Sequence, residues 1–171
     1  ELYARAAEPP SVVGEWPTII AGRDGVHGGT WMGATEHGFF VGITNQRTFR
    51  LADPDARSRG LIAMEALRAG SRGGTRQLLG SLDLRAHNSF NLIYGDADGV
   101  EVAYGRRAAA RVEIQALPPG LHVLTNDRLG SLEFPKAERA AALAMDAVRG
   151  GRDLLGDALP AVLADHDRPP L

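Results

Sequence analysis

Two asparagines stand where an amide side chain could stabilise negative charge that develops during a reaction. Asn45 and Asn126 each follow a threonine at the end of an apolar run, where a strand edge can present them to a shared site. The asparagine NH2 group is a neutral, permanently protonated donor, as an oxyanion requires. Alternatively, each asparagine forms an Asx-turn that leads the chain out of its strand. We take both as candidate catalytic positions.

The chain lacks the nucleophile that such a reaction would need. It contains no cysteine, which excludes thiolate nucleophiles, disulfides and thiolate metal sites within these residues. The first residue, Glu1, cannot replace a nucleophile. Thr30 and Ser58 carry hydroxyls, but neither has a base nearby in the sequence. We therefore predict a hairpin role for Thr30 and a helix-capping role for Ser58.

A glycine-rich stretch over residues 21–47 supplies candidate ligand-binding residues, namely Arg23, Asp24, Trp31 and Arg47. Arg23 and Asp24 could form a charged pair beside a site, or tie a loop to a strand. Trp31 could pack in the core or across strands, or form a platform for a ligand. The glycines lack the strand–Gly-x-Gly-x-x-Gly–helix context of a dinucleotide site, so tight turns are sufficient to explain them.

The five histidines do not form a metal-binding motif. None are paired at i,i+4 on a predicted helix, and no carboxylates cluster around them, which argues against zinc. Haem iron needs only one axial histidine, and His27 and His122 are the candidates. We include His122 among the candidate ligand-binding residues. Alternatively, it is only a half-buried strand residue. We predict no metal site and no required cofactor, with haem as cargo.

The predicted elements indicate an α+β fold of antiparallel sheets with outer helices. Strands are predicted over 18–21, 30–35, 39–44, 89–94, 100–104, 112–117 and 121–125. Helices are predicted over 61–69, 75–82, 135–148 and 153–164, the last bent or broken near Pro160. Residues 6–17 are predicted to be irregular because of Pro9, Pro10 and Pro17.

Length and composition place the chain among ordinary globular proteins. Its 171 residues fit one domain with a buried core. The net charge of -2 argues against nucleic acid or an acidic membrane surface as the main partner. No apolar run is long enough for a membrane span, and we expect a cytoplasmic protein. Both ends look unfinished, because the chain starts at Glu1 without a methionine, and we expect a fragment.

Several short segments, in the same order along the chain, resemble the NRDE-motif proteins. These segments are AGRD at 21–24, GGTWMG at 28–33, TNQR at 44–47, SRG at 58–60, SFNL at 89–92, HVLTN at 122–126 and PK at 135–136 with Arg139. NRDE-motif proteins are bacterial and eukaryotic relatives of the Transport and Golgi organisation 2 family. The resemblance implies that Glu1 is the last letter of the Asn-Arg-Asp-Glu motif, that a preceding strand beginning Met-Cys is missing, and that a closing segment after Leu171 is missing.

The resemblance also implies a fold and two functions. The family is similar to N-terminal-nucleophile hydrolases, which form an αββα sandwich. In their cysteine branch, a chain-terminal cysteine attacks an amide carbonyl, and Asn45 and Asn126 resemble the two asparagines that flank it. The first function that the resemblance implies is the binding or trafficking of haem or a similar apolar metabolite, such as an acyl compound, in a cleft near Asn45, Trp31 and Asn126. The alternative is a cysteine amidohydrolase whose nucleophile lies upstream of Glu1.

Overall fold

The chain forms two compact units, Glu1–Pro118 and Pro119–Leu171. The computed structural model describes residues 5–48, 51–131 and 135–150, together with residues 156, 159, 160, 162 and 164.

The first unit is built on a sheet in which each strand pairs antiparallel with its neighbours in sequence order. The seven strands are β1 (Ala7–Glu15), β2 (Thr18–Asp24), β3 (Met32–Thr35), β4 (Phe40–Asn45), β5 (Phe90–Asp96), β6 (Gly99–Gly105) and β7 (Glu113–Leu117). Together with the helices, the sheet confirms the predicted α+β class. An αββα sandwich contains two sheets, and the described residues contain one.

Two helices separate β4 from β5. Helix α1 (Arg59–Ala69) ends at Gly70, whose φ of 62° is the left-handed conformation that glycine adopts without strain. Helix α2 (Arg72–Gly80) starts after Ser71, whose hydroxyl accepts a hydrogen bond from Gly74 N at 3.1 Å. A short 3-10 helix covers Leu84–Ala86. The sequence predicted both longer helices, although it placed the start of α2 three residues too late.

The two helices pack on one face of the sheet, which we call the helix face. Leu67 of α1 reaches the backbone of Gly33, where any β-carbon would lie 2.8 Å from the Leu67 methyl group. Alternate residues of each strand point to this face, and they form the core together with the helices. The largest fully buried side chains of this core are Tyr94, Phe39, Phe90, Ile19, Ile62, Leu67, Leu79, Leu92 and Val41. We call the opposite face the open face, because its large apolar side chains on β1 to β3 are exposed. On β5 and β6, its residues Asn91, Val102 and Tyr104 are buried.

Strand β1 corrects the prediction that residues 6–17 are irregular. Proline cannot donate to a sheet ladder and is therefore confined to edges and bulges. Among the described residues β1 pairs with β2 alone, and its register shifts between Glu8 and Ser11, across Pro9 and Pro10. The prolines exclude a helix here, but an edge strand with a bulge accommodates them.

The second unit contains helix α3 (Pro135–Arg149), as predicted. The predicted strand at 121–125 is wrong, because these residues form no ladder. Alternation of apolar and polar residues produces a strand only where a partner satisfies the backbone, and β7 pairs only with β6 in the described part of the chain. Of the predicted helix at 153–164, residues 156, 159, 160, 162 and 164 are helical, and the others lie outside the described residues.

Candidate functional site

One end of the sheet gathers most of the predicted site residues. Because neighbouring strands run antiparallel, the ends of β2, β4 and β6 lie beside the starts of β3 and β5. We call this the polar end, which consists of residues 23–31, 45–47, 53–59, 88–89 and 106–107. It includes all five of the predicted site residues in the first unit, which are Arg23, Asp24, Trp31, Asn45 and Arg47.

Asp24 is the most strongly paired carboxylate of this end. Arg5 Nε donates to Asp24 Oδ1 at 2.9 Å, Arg5 Nη2 binds Oδ2, and Val26 N donates to Oδ1 at 3.1 Å. The hydrogen bond from Arg5, with the smaller contribution of Val26, lowers the pKa of Asp24 to about 2. Asp24 is therefore an anion at any physiological pH, and its charge is already compensated.

The predicted charged pair between Arg23 and Asp24 is wrong. Consecutive strand residues point to opposite faces, so Asp24 is buried while Arg23 is exposed. The partner is Arg5, 19 positions earlier in the chain. The alternative prediction, that a charged pair ties a loop to a strand, describes what Arg5 does just ahead of β1.

The contact of His27 with Arg5 disfavours haem ligation by this histidine. Its Nδ1 lies 2.7 Å from Arg5 Nη2. Arginine only donates, so Nδ1 must accept and the ring proton of neutral His27 must lie on Nε2. A ligating histidine instead donates from one nitrogen to an outer partner and offers the lone pair of the other to the metal. An axial role for His27 would require Arg5 to move away.

His122 lies in the second unit and is exposed. Its interpretation as a half-buried strand residue is wrong, because no strand forms there. Its ligand-binding role stays a prediction. Among the described residues, no group of three or more histidine, aspartate or glutamate side chains could hold a metal ion.

Thr30 and Trp31 shape the entry into β3. Thr30 Oγ1 donates to Met32 O at 2.9 Å and accepts from Met32 N at 3.3 Å, which confirms the hairpin role of this hydroxyl. The indole of Trp31 lies over Gly22, where a β-carbon would be 3.0 Å from Trp31 Cζ2. This is the predicted cross-strand packing. Because 47% of Trp31 remains exposed, a ligand could still contact the indole.

Asn45 ends β4 opposite Phe90 of β5 and is exposed. The next residue, Gln46, is 4% exposed and donates its N–H to Ser89 O at 3.1 Å. Asn126 belongs to the second unit. The joint oxyanion role of Asn45 and Asn126 therefore stays a prediction.

The start of α1 brings a further arginine to the polar end. Ser58 occupies the N-cap position, as predicted, but its side chain makes no capping hydrogen bond. Arg59 Nη1 donates to Ser89 O at 3.1 Å, so this carbonyl accepts from both Arg59 and Gln46. Burial lowers the pKa of Arg59. The sequence offered no periodic or spacing signal for this residue beyond the SRG segment.

The loop that precedes α1 is held by hydrogen bonds to residues just before β5 and just after β6. Asn88 Oδ1 accepts from Asp53 N at 2.9 Å and Asn88 Nδ2 donates to Asp53 O at 2.8 Å. Arg107 Nη2 donates to Asp53 Oδ2 at 2.6 Å, and Arg107 N donates to Ser89 Oγ at 3.1 Å. Sequence reasoning missed Asn88 and Arg107, because their partners are far away in the chain.

The open face carries an exposed apolar strip next to the polar end. Val12, Ile20 and Met32 are 66%, 54% and 63% exposed. Val12 pairs with Ile20, Ile20 pairs with Ala34, and Met32 precedes Ala34 by two residues, so these side chains point to the same face. We call Val12, Ile20, Trp31 and Met32 the apolar strip, since Trp31 lies over Gly22 on that face.

Comparison with known proteins assigns the family. The family model of Transport and Golgi organisation 2 matches residues 1–169, across both compact units. The chain belongs to the Transport and Golgi organisation 2 family. It is 32% identical to a cattle protein, the Transport and Golgi organization protein 2 homolog, over 95% of this chain. It is 30% identical to the mouse Transport and Golgi organization 2 homolog over 96% of this chain.

The match covers 60% of the length of the cattle relative and 61% of the mouse relative. The chain thus spans less than two thirds of these relatives. No helix in the described part of the chain is both long enough and apolar enough to cross a membrane.

Proposed function

We propose that this family domain binds haem or a similar apolar metabolite, and that the apolar strip contacts the ligand. The observation that supports this proposal is the exposure of Val12, Ile20 and Met32, each above one half, side by side on one sheet face. Single exposed apolar residues are common on protein surfaces, but adjacent ones mark binding sites.

The position of Trp31 adds to this proposal. Its indole packs against Gly22 of β2, and 47% of the residue is exposed. A rigid aromatic surface loses little conformational entropy when a planar ligand stacks on it.

The first test is a titration of the protein, expressed from its whole reading frame, with haemin. The proposal predicts a saturable shift and sharpening of the Soret band. Absence of any spectral change at haemin concentrations up to tens of micromolar would contradict haem as the ligand. A long-chain acyl compound, titrated by calorimetry, then tests the wider class of apolar metabolite.

An amidohydrolase is the second candidate, because hydrogen-bond donors gather at the polar end. Asn45 pairs with Phe90, and the carbonyl of the preceding residue, Ser89, accepts from Arg59 and from Gln46. Such donors could stabilise an oxyanion, if a cysteine encoded upstream of Glu1 supplied the nucleophile. A turnover of amide substrates that survives replacement of that cysteine by alanine would exclude this mechanism.

A further inference from the structure

Arg59 is a half-buried cation whose charge is not matched by the described residues. Its guanidinium makes one hydrogen bond, from Nη1 to the neutral carbonyl of Ser89 at 3.1 Å. No carboxylate of the described residues lies within 4.0 Å of it. By contrast, two other arginines near the polar end are paired with carboxylates, Arg5 with Asp24 and Arg107 with Asp53.

An unmatched arginine in this position is unfavourable for the protein alone. A guanidinium has five N–H donors and cannot lose its proton to escape burial. Burying a charge without a counter-charge costs free energy, and buried charges are accordingly paired in most structures. An anion that binds the free edge of the guanidinium would remove this cost.

The charges around Arg59 favour an anion. Residues 51–59 and 106–107 contain four arginines (Arg57, Arg59, Arg106 and Arg107) and two aspartates (Asp53 and Asp55), which gives a local net charge of +2. One of the aspartates, Asp53, is already bound to Arg107 at 2.6 Å. The local field therefore attracts negative groups.

The backbone that carries Arg59 is fixed in place. Thr30 N donates to Gly60 O at 3.0 Å. Gly29 and Gly60 cross so closely that a β-carbon on Gly29 would lie 2.4 Å from Gly60 C. This crossing fixes the backbone at the first turn of α1, and the hydrogen bond to Ser89 O holds the guanidinium. An anion that binds Arg59 therefore has to order little of the protein.

We propose that Arg59 is the anchor of an oxyanion-binding site at the polar end, which takes a carboxylate or phosphate group. Guanidinium binds both groups through two parallel N–H donors. The site goes beyond the binding of an apolar ligand, because Arg59 begins a helix on the helix face while the apolar strip lies on the open face. Its test therefore does not depend on haem.

The test is an NMR titration of the arginine Nε–Hε signals with inorganic phosphate and, separately, with sodium acetate at constant ionic strength. We expect a saturable shift of the Arg59 signal, at least fivefold larger than that of the exposed Arg85. Saturation by phosphate alone identifies a phosphate site, and saturation by acetate alone identifies a carboxylate site. If Arg59 and Arg85 respond alike and without saturation to both anions, the proposal is wrong.

A variant gives a second readout if the Arg59 signal is too broad to follow. Arg59→Lys keeps the charge but loses the two-donor geometry, and circular dichroism establishes whether it is folded. We expect a loss of at least tenfold in anion affinity, measured by calorimetry, whereas Arg85→Lys keeps the wild-type affinity. Equal affinities of both variants and the wild type would overturn the proposal.

Discussion

Asp24 shows how one residue contributes to the polar end through its ionisation. Its carboxylate is stabilised by Arg5 and by Val26 N, and its pKa is lowered to about 2. The pKa of an unfolded aspartate is 3.8. Since the folded-state pKa is the lower one, this contribution is present above pH about 4 and is lost as the pH falls towards 2.

We expect Asp24→Asn to lower the free energy of unfolding at pH 7 by about 1–2 kcal/mol. The value is smaller than the pKa shift alone suggests, because Arg5 is 44% exposed and solvent screens the pair. Urea unfolding of wild type and variant between pH 7 and pH 2 measures this difference. It should shrink below pH 4, and a constant difference over the whole range would show that ionisation of Asp24 is not the cause.

Two glycines provide a matched test of backbone packing. A β-carbon on Gly29 would lie 2.4 Å from the backbone of Gly60, whereas Gly73 in α2 has no atom within 4 Å of that position. Overpacking against backbone typically costs about 1–3 kcal/mol, and alanine in an open helix position stabilises by about 0.4–1 kcal/mol. In urea unfolding, Gly29→Ala should destabilise and Gly73→Ala should stabilise. Equal effects of the two changes would contradict the close crossing.

Single residues were predicted well where local chemistry decides and poorly where the partner is distant. Thr30 was predicted in its hairpin role because a hydroxyl bonds within two residues. Arg5 was missed as the partner of Asp24, since 19 residues separate them. The role of Arg59 was missed for the same reason, because the Ser89 carbonyl that it binds lies 30 residues later in the chain.

At the scale of elements, α2 is tied to the sheet through a buried carboxylate. Glu101 of β6 is 3% exposed, and Arg76 of α2 binds it through Nε at 3.0 Å and through Nη2. Arg72, one turn earlier, donates from Nε to Asp96 Oδ1 at 3.1 Å. The hydrogen bond from Arg76 lowers the pKa of Glu101, so the link weakens only in acid.

We expect Glu101→Gln to destabilise the protein by about 2 kcal/mol, because the buried side chain of Glu101 loses its charge-assisted hydrogen bonds to Arg76. The estimate is at the low end since Arg76 is 53% exposed. Asp146→Asn is the control, as Asp146 and Arg149 form an exposed pair with both side chains 74% exposed, which contributes within about 0.5 kcal/mol. Thermal unfolding compares them, and equal effects would contradict the account of this link.

Elements were predictable where turns and helix ends carry their own signals. Gly38, with a φ of 79°, and Gly99 mark two hairpins that were predicted correctly. Strand β1 was missed because its prolines are tolerated only at an edge, and the position of an edge depends on the whole sheet. The strand predicted at 121–125 is wrong because alternation cannot show whether a partner is present.

At the scale of the molecule, the two faces of the sheet differ in exposure over strands β1 to β3. The helix face is closed by α1 and α2, whereas the apolar strip on the open face is exposed. This difference underlies the proposed binding function. It also provides a control, because Ile114 of β7 is 38% exposed and pairs with Ala103, which points to the helix face.

The binding of the ligand by the apolar strip is tested most directly by the haemin affinity of Ile20→Asp and Ile114→Asp, read from the Soret band of the protein expressed from its whole reading frame. Both variants place a charge at an exposed strand isoleucine, but on opposite faces. We expect at least a tenfold loss of affinity for Ile20→Asp and wild-type affinity for Ile114→Asp. Equal affinities in the two variants would show that the apolar strip does not bind the ligand.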